Sequence, residues 1–141
     1  MIHIVFATKN RIPALTINKK PVFINYLLAI IRNLNCTNIE LNTMPDHVHI
    51  LVDLRPSISI SDFVKNLKQS SSRWINRENI FPAFDKWQEG YFAGSIGPDG
   101  VERCRNYIRN QEKHHLGSNP LQEIEKIVKL YNLNWYPDDW I

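Results

Sequence analysis

Two alternating segments meet at a short turn, and they constrain the fold more than any other feature of this chain. Residues 37–44 and 47–54 both alternate in side-chain character, which is the period of a half-buried β-strand. Pro45 and Asp46, between them, are residue types that favour a turn between antiparallel strands. The sequence therefore predicts a β-hairpin over residues 37–54.

The second strand of this hairpin carries two histidines, His47 and His49. A period of two places both imidazoles on one face of the strand, with Val48 on the other face. Two neutral ring nitrogens on one face can bind a divalent metal ion if a third ligand arrives from elsewhere in the chain. The alternative is that both are ordinary half-buried histidines of a sheet face.

The period of the apolar residues predicts the other elements. Strands are expected over residues 2–8 and 91–96, and helices over residues 21–34, from a cap at Ser59 or Ser61 onward, over residues 101–116 with Asp99 as its cap, and over residues 121–131. This order predicts an α+β fold: a ferredoxin-like antiparallel sheet (βαββαβ) with helices on one face and two additional C-terminal helices. Such a fold serves many functions, so function must be argued from the site.

Composition narrows the class of protein. The chain has 141 residues, 43% of them hydrophobic, which predicts one domain over residues 1–141 with a real core. A net charge of +3 is compatible with a polyanionic partner. Two cysteines without a metal-binding or disulfide pattern favour a reducing cytoplasm. The apolar segments are too short for a membrane span, so no membrane association is expected.

The predicted third helix contains Tyr107 and Gln111, four residues apart. On one continuous helix they project from the same face. Gln111 could complete a His-His-Gln set without net charge, so that a bound divalent cation keeps its charge and attracts phosphate. The Tyr107 hydroxyl could then attack phosphorus and form a covalent phosphotyrosine. The alternative is that Tyr107 packs beside Ile108 and has no chemical role.

Several basic residues are candidates for nucleic-acid contacts. Lys65 and Lys68 lie off the apolar stripe of the second helix, and Arg105 and Arg109 make the third helix basic. This pattern suits single-stranded DNA, although a solvated helix face has the same composition. His3, in the first strand, is expected to be structural.

Four segments of the chain together resemble a known family. In order they are HIVFATKNR, MPDHVHILV, WQEGYFAGSIG and YIRNQEKHH, and they resemble the single-tyrosine His-hydrophobe-His (HUH) transposases of the IS200-like family. The resemblance implies an enzyme that cleaves and rejoins single-stranded DNA at insertion-sequence ends through a 5'-phosphotyrosine intermediate. Carried over by position, it implies that His47, His49 and Gln111 bind Mg or Mn, and that Tyr107 is the nucleophile.

The resemblance also implies partners. The expected substrate is single-stranded DNA with hairpin ends, and Lys9 and Arg11, at the basic end of the first strand, are candidates for contacting the hairpin. A homodimer is implied as well, in which the tyrosine helix of one subunit can serve the metal site of the other.

Two other functions are compatible with the same residues. One is a metal-dependent nuclease that uses the two histidines with water as the nucleophile. The other is a non-catalytic, ferredoxin-like nucleic-acid-binding regulator. A covalent protein–DNA adduct distinguishes the transposase from both of these alternatives.

Overall fold

The computed structural model describes residues 1–114, with side chains described up to Glu112. The chain divides into two compact units, Met1–Arg109 and Asn110–Ile141. One domain over residues 1–141 therefore stays a prediction, and the helix predicted over residues 121–131 lies outside the described residues.

The first unit is built on a four-stranded sheet in the order β2-β3-β1-β4, in which every pair of neighbours is antiparallel. The strands are β1 (Ile2–Ala7), β2 (Thr37–Met44), β3 (His47–Asp53) and β4 (Phe92–Ser95). The helices are α1 (Lys20–Asn33), α2 (Ile60–Glu78) and α3 (Val101–Arg109), and α4 (Gln111–His114) follows in the second unit. Strand order and connections confirm the ferredoxin-like βαββαβ sheet.

The predicted hairpin is present with a two-residue turn. β2 ends at Met44 and β3 begins at His47, so that Pro45 and Asp46 form the connection. A register shift between Asn38 and Glu40 is the one irregularity in this ladder. The hairpin is well specified because alternation and turn chemistry agree.

One face of the sheet carries the hydrophobic core. Apolar side chains of the central strands pack there against α1 and α2, and they include Ile4, Phe6, Val48, Ile50 and Val52. In α1 the residues that meet them recur every four positions, at Phe23, Leu27 and Ile31, as a buried helix face requires. Both helices of the βαββαβ motif therefore cover the same face.

The long helix α2 begins where its capping residue predicts. The Ser59 side chain accepts a hydrogen bond from the backbone N–H of Asp62, which satisfies one of the N–H groups at the helix start. The helix ends at Glu78, and the capping residue Asn79, in a left-handed conformation (φ 50°), closes the last turn. Of the two candidate caps, Ser59 is the one the structure uses.

The third helix is shorter than its sequence pattern predicts. α3 ends at Arg109, and a separate short helix, α4, begins at Gln111. The expectation of one continuous helix over residues 101–116 is therefore wrong at Asn110. Tyr107 and Gln111 lie on separate helices, and their projection from a common face stays a prediction. The Asn42 side chain of β2 donates to the carbonyl of Ile108 and so satisfies one of the C=O groups in the last turn of α3.

Within residues 1–114, no helix is both long enough and apolar enough to cross a membrane.

Candidate functional site

The face of the sheet opposite the core carries three histidines. In the β1–β3 ladder, Val5 lies opposite His49 and Ala7 lies opposite His47. Directly opposed residues of antiparallel strands share a face, so His3, two residues before Val5, lies on this face too. We call it the histidine face. The prediction that His47 and His49 share one side of the sheet is confirmed.

The histidine face is closed to solvent. The exposed fraction is 0% for His3, 2% for His47 and 0% for His49. The ring centroids of His47 and His49 are 4.9 Å apart. Buried polar rings need hydrogen-bond partners, and these partners define the orientation of each imidazole.

Each of the two HUH histidines is held through its Nδ1 atom. Asp46 Oδ1 lies 2.6 Å from His47 Nδ1, and His3 Nε2 lies 3.0 Å from His49 Nδ1. The sequence pattern places Asp46 in the turn and predicts a structural role for His3, so it predicts neither contact. Asp46 could have been found from its position beside His47, whereas His3 depends on the strand pairing, which sequence reasoning did not provide.

Burial also fixes the charge of His3. Removal of the ring from water lowers the pKa of His3 from 6.5 to about 3, because burial disfavours the charged imidazolium. At neutral pH His3 is therefore an uncharged ring with one N–H donor and one acceptor nitrogen.

Tyr107, on α3, packs edge-on against the same histidines. Its ring centroid lies 5.9 Å from that of His49 and 6.4 Å from that of His3. The side chain is half-buried. The candidate nucleophile and one HUH histidine are thus neighbours within a single chain.

The position of α3 depends on a buried amide in β2. Asn42 is directly opposite His49 in the β2–β3 ladder, and its Nδ2 donates to the carbonyl of Ile108 at 2.8 Å. Its Oδ1 accepts from the N–H of Thr43 at 2.9 Å. Because Ile108 follows Tyr107, this contact fixes the helix turn that carries the tyrosine.

The two histidines fit the requirements of a metal ligand pair. The Nε2 atoms of His47 and His49 are both inaccessible to solvent, while both Nδ1 atoms are engaged as described. Metal-ligating histidines commonly bind through one nitrogen and hydrogen-bond through the other. Among residues 1–112, no group of three or more His, Cys, Asp or Glu side chains is arranged to hold a metal ion.

Gln111 is the residue that the sequence offers as a third ligand. It is the first residue of α4, in the second compact unit, and its side chain is buried. Its ligation of a metal ion stays a prediction.

The basic end of β1 continues into a strained turn. Asn10 and Arg11 adopt left-handed conformations (φ 58° and 56°), which are uncommon for residues other than glycine. Burial lowers the pKa of Arg11, and the nearby Asp46 carboxylate opposes this shift. Lys9 is half-buried, and its neighbour Lys86 lowers the pKa of Lys9. Arg11 therefore lies close to the carboxylate that holds His47.

On α2, the two predicted DNA-contacting lysines differ in environment. Lys65 is exposed. The Lys68 ammonium donates to the carbonyls of Gln88 and Gly90, both at 2.7 Å, and burial lowers the pKa of Lys68. Lys68 therefore holds the loop that precedes β4.

On α3, the two predicted DNA-contacting arginines share one carboxylate. Arg105 Nε lies 3.4 Å and Arg109 Nη2 lies 3.0 Å from Glu40 Oε1, on β2. Arg105 also pairs with Glu102 at 3.1 Å. These ion pairs connect α3 to the sheet on the histidine face.

Comparison with known proteins identifies the family of this chain. The family model described as "Transposase IS200 like" matches residues 1–111. The transposase of insertion sequence element IS200 from Salmonella typhimurium is 28% identical over 114 residues, which are 77% of this chain and 74% of that protein. The ISDra2 transposase TnpA of Deinococcus radiodurans is 38% identical over 58 residues, 41% of this chain and 38% of that protein.

Solved structures agree with the fold. A crystal structure of a candidate transposase from Deinococcus radiodurans R1 has a TM-score of 0.61 and 28% identity, covering 78% of this chain and 88% of that one. A REP-associated tyrosine transposase bound to a REP hairpin has a TM-score of 0.65 and 14% identity, covering 82% of this chain and 67% of that one. At this lower identity the likeness concerns the fold alone.

The matched segment contains the complete sheet, the histidine face and the helix that bears Tyr107. This chain belongs to the family of IS200-like transposases.

Proposed function

We propose that this transposase cleaves and rejoins single-stranded DNA at insertion-sequence ends through a 5'-phosphotyrosine at Tyr107. The observation that carries the proposal is the edge-on contact of the Tyr107 ring with His49, at 5.9 Å between centroids within one chain. A tyrosine ring next to a ligand-type histidine suits transfer of a phosphoryl group to the tyrosine hydroxyl.

The proposed step balances without a further reactant. The Tyr107 hydroxyl oxygen bonds to phosphorus, the bond from phosphorus to the 3' oxygen breaks, and the tyrosine proton ends on the released 3' hydroxyl. The 5' phosphate stays on Tyr107 as a diester. A second DNA 3' hydroxyl can then attack the same phosphorus and release the tyrosine. Because one ester replaces another, resealing needs no outside energy source.

The residues proposed to hold Mg or Mn are His47, His49 and Gln111. When bound, a divalent cation would offset the negative charge that develops on the phosphate. The protein orients the imidazole ligands, and Asp46 orients His47 through a hydrogen bond to Nδ1. This contact favours the tautomer with its proton on Nδ1, in which Nε2 is the ligand atom.

The proposed substrate is single-stranded DNA with hairpin ends. One neighbour of the same fold is a tyrosine transposase bound to a REP hairpin. The residues proposed to contact DNA are Lys9, Arg11, Lys65, Lys68, Arg105 and Arg109. Lys68 and the two arginines would have to exchange the intramolecular partners described above, whereas Lys65 is exposed and is the stronger candidate on the helices.

A homodimer is part of the proposal, because two DNA ends must be held in one assembly for strand exchange. The contact between Tyr107 and His49 occurs within one chain. This contact is compatible with a site in which each subunit supplies its own tyrosine and histidines, and a site shared between subunits is the alternative.

The test is the variant Tyr107→Phe, with Tyr91→Phe as its matched control. Tyr91 is 37% exposed and its hydroxyl contacts Ser61, away from the histidine face. With a labelled single-stranded hairpin oligonucleotide and Mg²⁺, wild-type protein and the Tyr91 variant should form a denaturant-resistant adduct. Tyr107→Phe should form none and still bind the oligonucleotide, because only the nucleophilic oxygen is lost.

The same assay separates the two alternative functions. Cleavage that continues at a comparable rate in Tyr107→Phe, without any adduct, would identify a nuclease that uses water and would refute the tyrosine mechanism. Hairpin binding by wild-type protein that is unchanged by metal, with no cleavage of any end sequence, would identify a binding regulator.

A further inference from the structure

We propose that His3 is a positioning residue of the metal site, which holds the His49 imidazole and selects the tautomer that can bind a metal ion through Nε2. The inference rests on the proposed function, because it concerns the same site. Its observation is the hydrogen bond of 3.0 Å between His3 Nε2 and His49 Nδ1, in which both rings are buried.

The sheet itself brings the two rings together. His49 lies directly opposite Val5, so His3, two residues earlier on β1, is its diagonal neighbour on the same face. The two ring centroids are 5.3 Å apart and the planes are inclined by 32°. The contact thus follows from the register of β1 against β3.

Further aromatic rings enclose His3. Phe92, on β4, lies edge-on at 5.9 Å, and Tyr107 lies edge-on at 6.4 Å, between centroids. A ring packed on several sides has few rotamers available. His3 is therefore a rigid support, and it also contacts the proposed nucleophile.

The direction of the hydrogen bond decides the chemistry. A neutral imidazole that binds a metal ion through Nε2 must carry its proton on Nδ1. In His49 this Nδ1 faces His3 Nε2, so His3 has to accept the hydrogen bond and carry its own proton on Nδ1. Each HUH histidine then has an acceptor at Nδ1: the carboxylate of Asp46 for His47, and the neutral ring of His3 for His49.

The use of a neutral acceptor has a consequence for charge. A second carboxylate at position 3 would also orient His49, but it would add a negative charge close to the phosphate-binding site. A neutral imidazole orients the ligand and leaves the charge of the cation to attract DNA. His3 thus orients His49 without adding a charge to the metal site.

The first experiment measures Mn²⁺ affinity by electron paramagnetic resonance of the free ion. His3→Gln can keep an acceptor near His49 and should bind Mn²⁺ within a few-fold of wild type. His3→Leu removes the acceptor and should weaken binding by about 10- to 100-fold, as loss of a ligand's supporting contact does. Ile4→Val, on the core face of the same strand, controls for a loss of stability that leaves the site intact.

The outcomes are distinguishable. Wild-type protein that binds no Mn²⁺ would overturn the proposed metal site as a whole. Wild-type affinity retained in a folded His3→Leu protein would overturn the role of His3 alone. A purely structural role would lower the unfolding midpoint of His3→Leu and leave the affinity of the folded protein unchanged.

The second experiment uses the wild-type chain and does not depend on folding of a variant. Long-range ¹H–¹⁵N correlation spectra report which ring nitrogen carries the proton, and the chain has 5 histidines to assign. We expect both His3 and His49 to be protonated at Nδ1 at neutral pH. A proton on His3 Nε2, donated to His49, would overturn the inference.

Discussion

The hydrogen bond from Asn42 to α3 is expected to control both stability and the position of the nucleophile. Asn42→Leu keeps the size of the side chain and removes the donor to Ile108 O (2.8 Å) and the acceptor for Thr43 N–H (2.9 Å). Asn42 is only 7% exposed, so water cannot fully replace these contacts.

The magnitude follows from the two lost contacts. Each buried hydrogen bond contributes about 1 kcal/mol net, and a buried polar group left without its partner costs about 1–3 kcal/mol. The larger apolar surface of leucine returns about 1–2 kcal/mol. We therefore expect the free energy of unfolding to fall by about 2 kcal/mol.

The assay has two parts. Urea unfolding, monitored by circular dichroism, measures stability, and a second measurement gives the rate of adduct formation. Ile108→Val is the control, because it costs about 1 kcal/mol through lost packing but keeps the carbonyl that Asn42 contacts. Adduct formation should fall much more in Asn42→Leu than in Ile108→Val. If Asn42→Leu unfolds at the wild-type urea concentration and forms the adduct at the wild-type rate, Asn42 does not anchor α3.

Two further predictions concern protons and subunits. Without metal, the free energy of unfolding should fall as pH falls from about 6.5, because the unfolded chain protonates His3 there whereas the folded pKa is about 3. His3→Gln should reduce this slope by up to about 1.4 kcal/mol per pH unit in urea titrations. We expect no adduct when Tyr107→Phe protein is mixed with His47→Ala/His49→Ala protein, because Tyr107 lies beside its own His49. Adduct formation by the mixture would demonstrate active sites that are shared between subunits.

The hairpin shows what sequence reasoning can predict. β2 covers Thr37–Met44 as predicted, and β3 begins at His47 and ends at Asp53, one residue earlier than expected. Alternation and turn chemistry are local properties, so they can be read from a short stretch of chain. The shared face of His47 and His49 follows from the same period and needs no knowledge of the rest of the fold.

What sequence reasoning missed depends on contacts between distant parts of the chain. The hydrogen bond between His3 and His49 joins residues 46 positions apart in the sequence, and it requires the pairing of β1 with β3. The hydrogen bond to the last turn of α3 joins Asn42 to Ile108, 66 positions later. Without glycine or proline near residue 110, the helical pattern continues and gives no sign of the break.

The division of the sheet into an apolar core face and a histidine face makes the length of β3 critical. Deleting one residue from the turn or from the start of this strand would exchange its two faces. His47 and His49 would then point into the hydrophobic core, and Val48 would replace them on the histidine face. Sequence drift in the segment from the turn to His49 can therefore proceed by substitution but not by insertion or deletion of single residues, so the length of this segment should be a more durable mark of a functional copy than its overall identity.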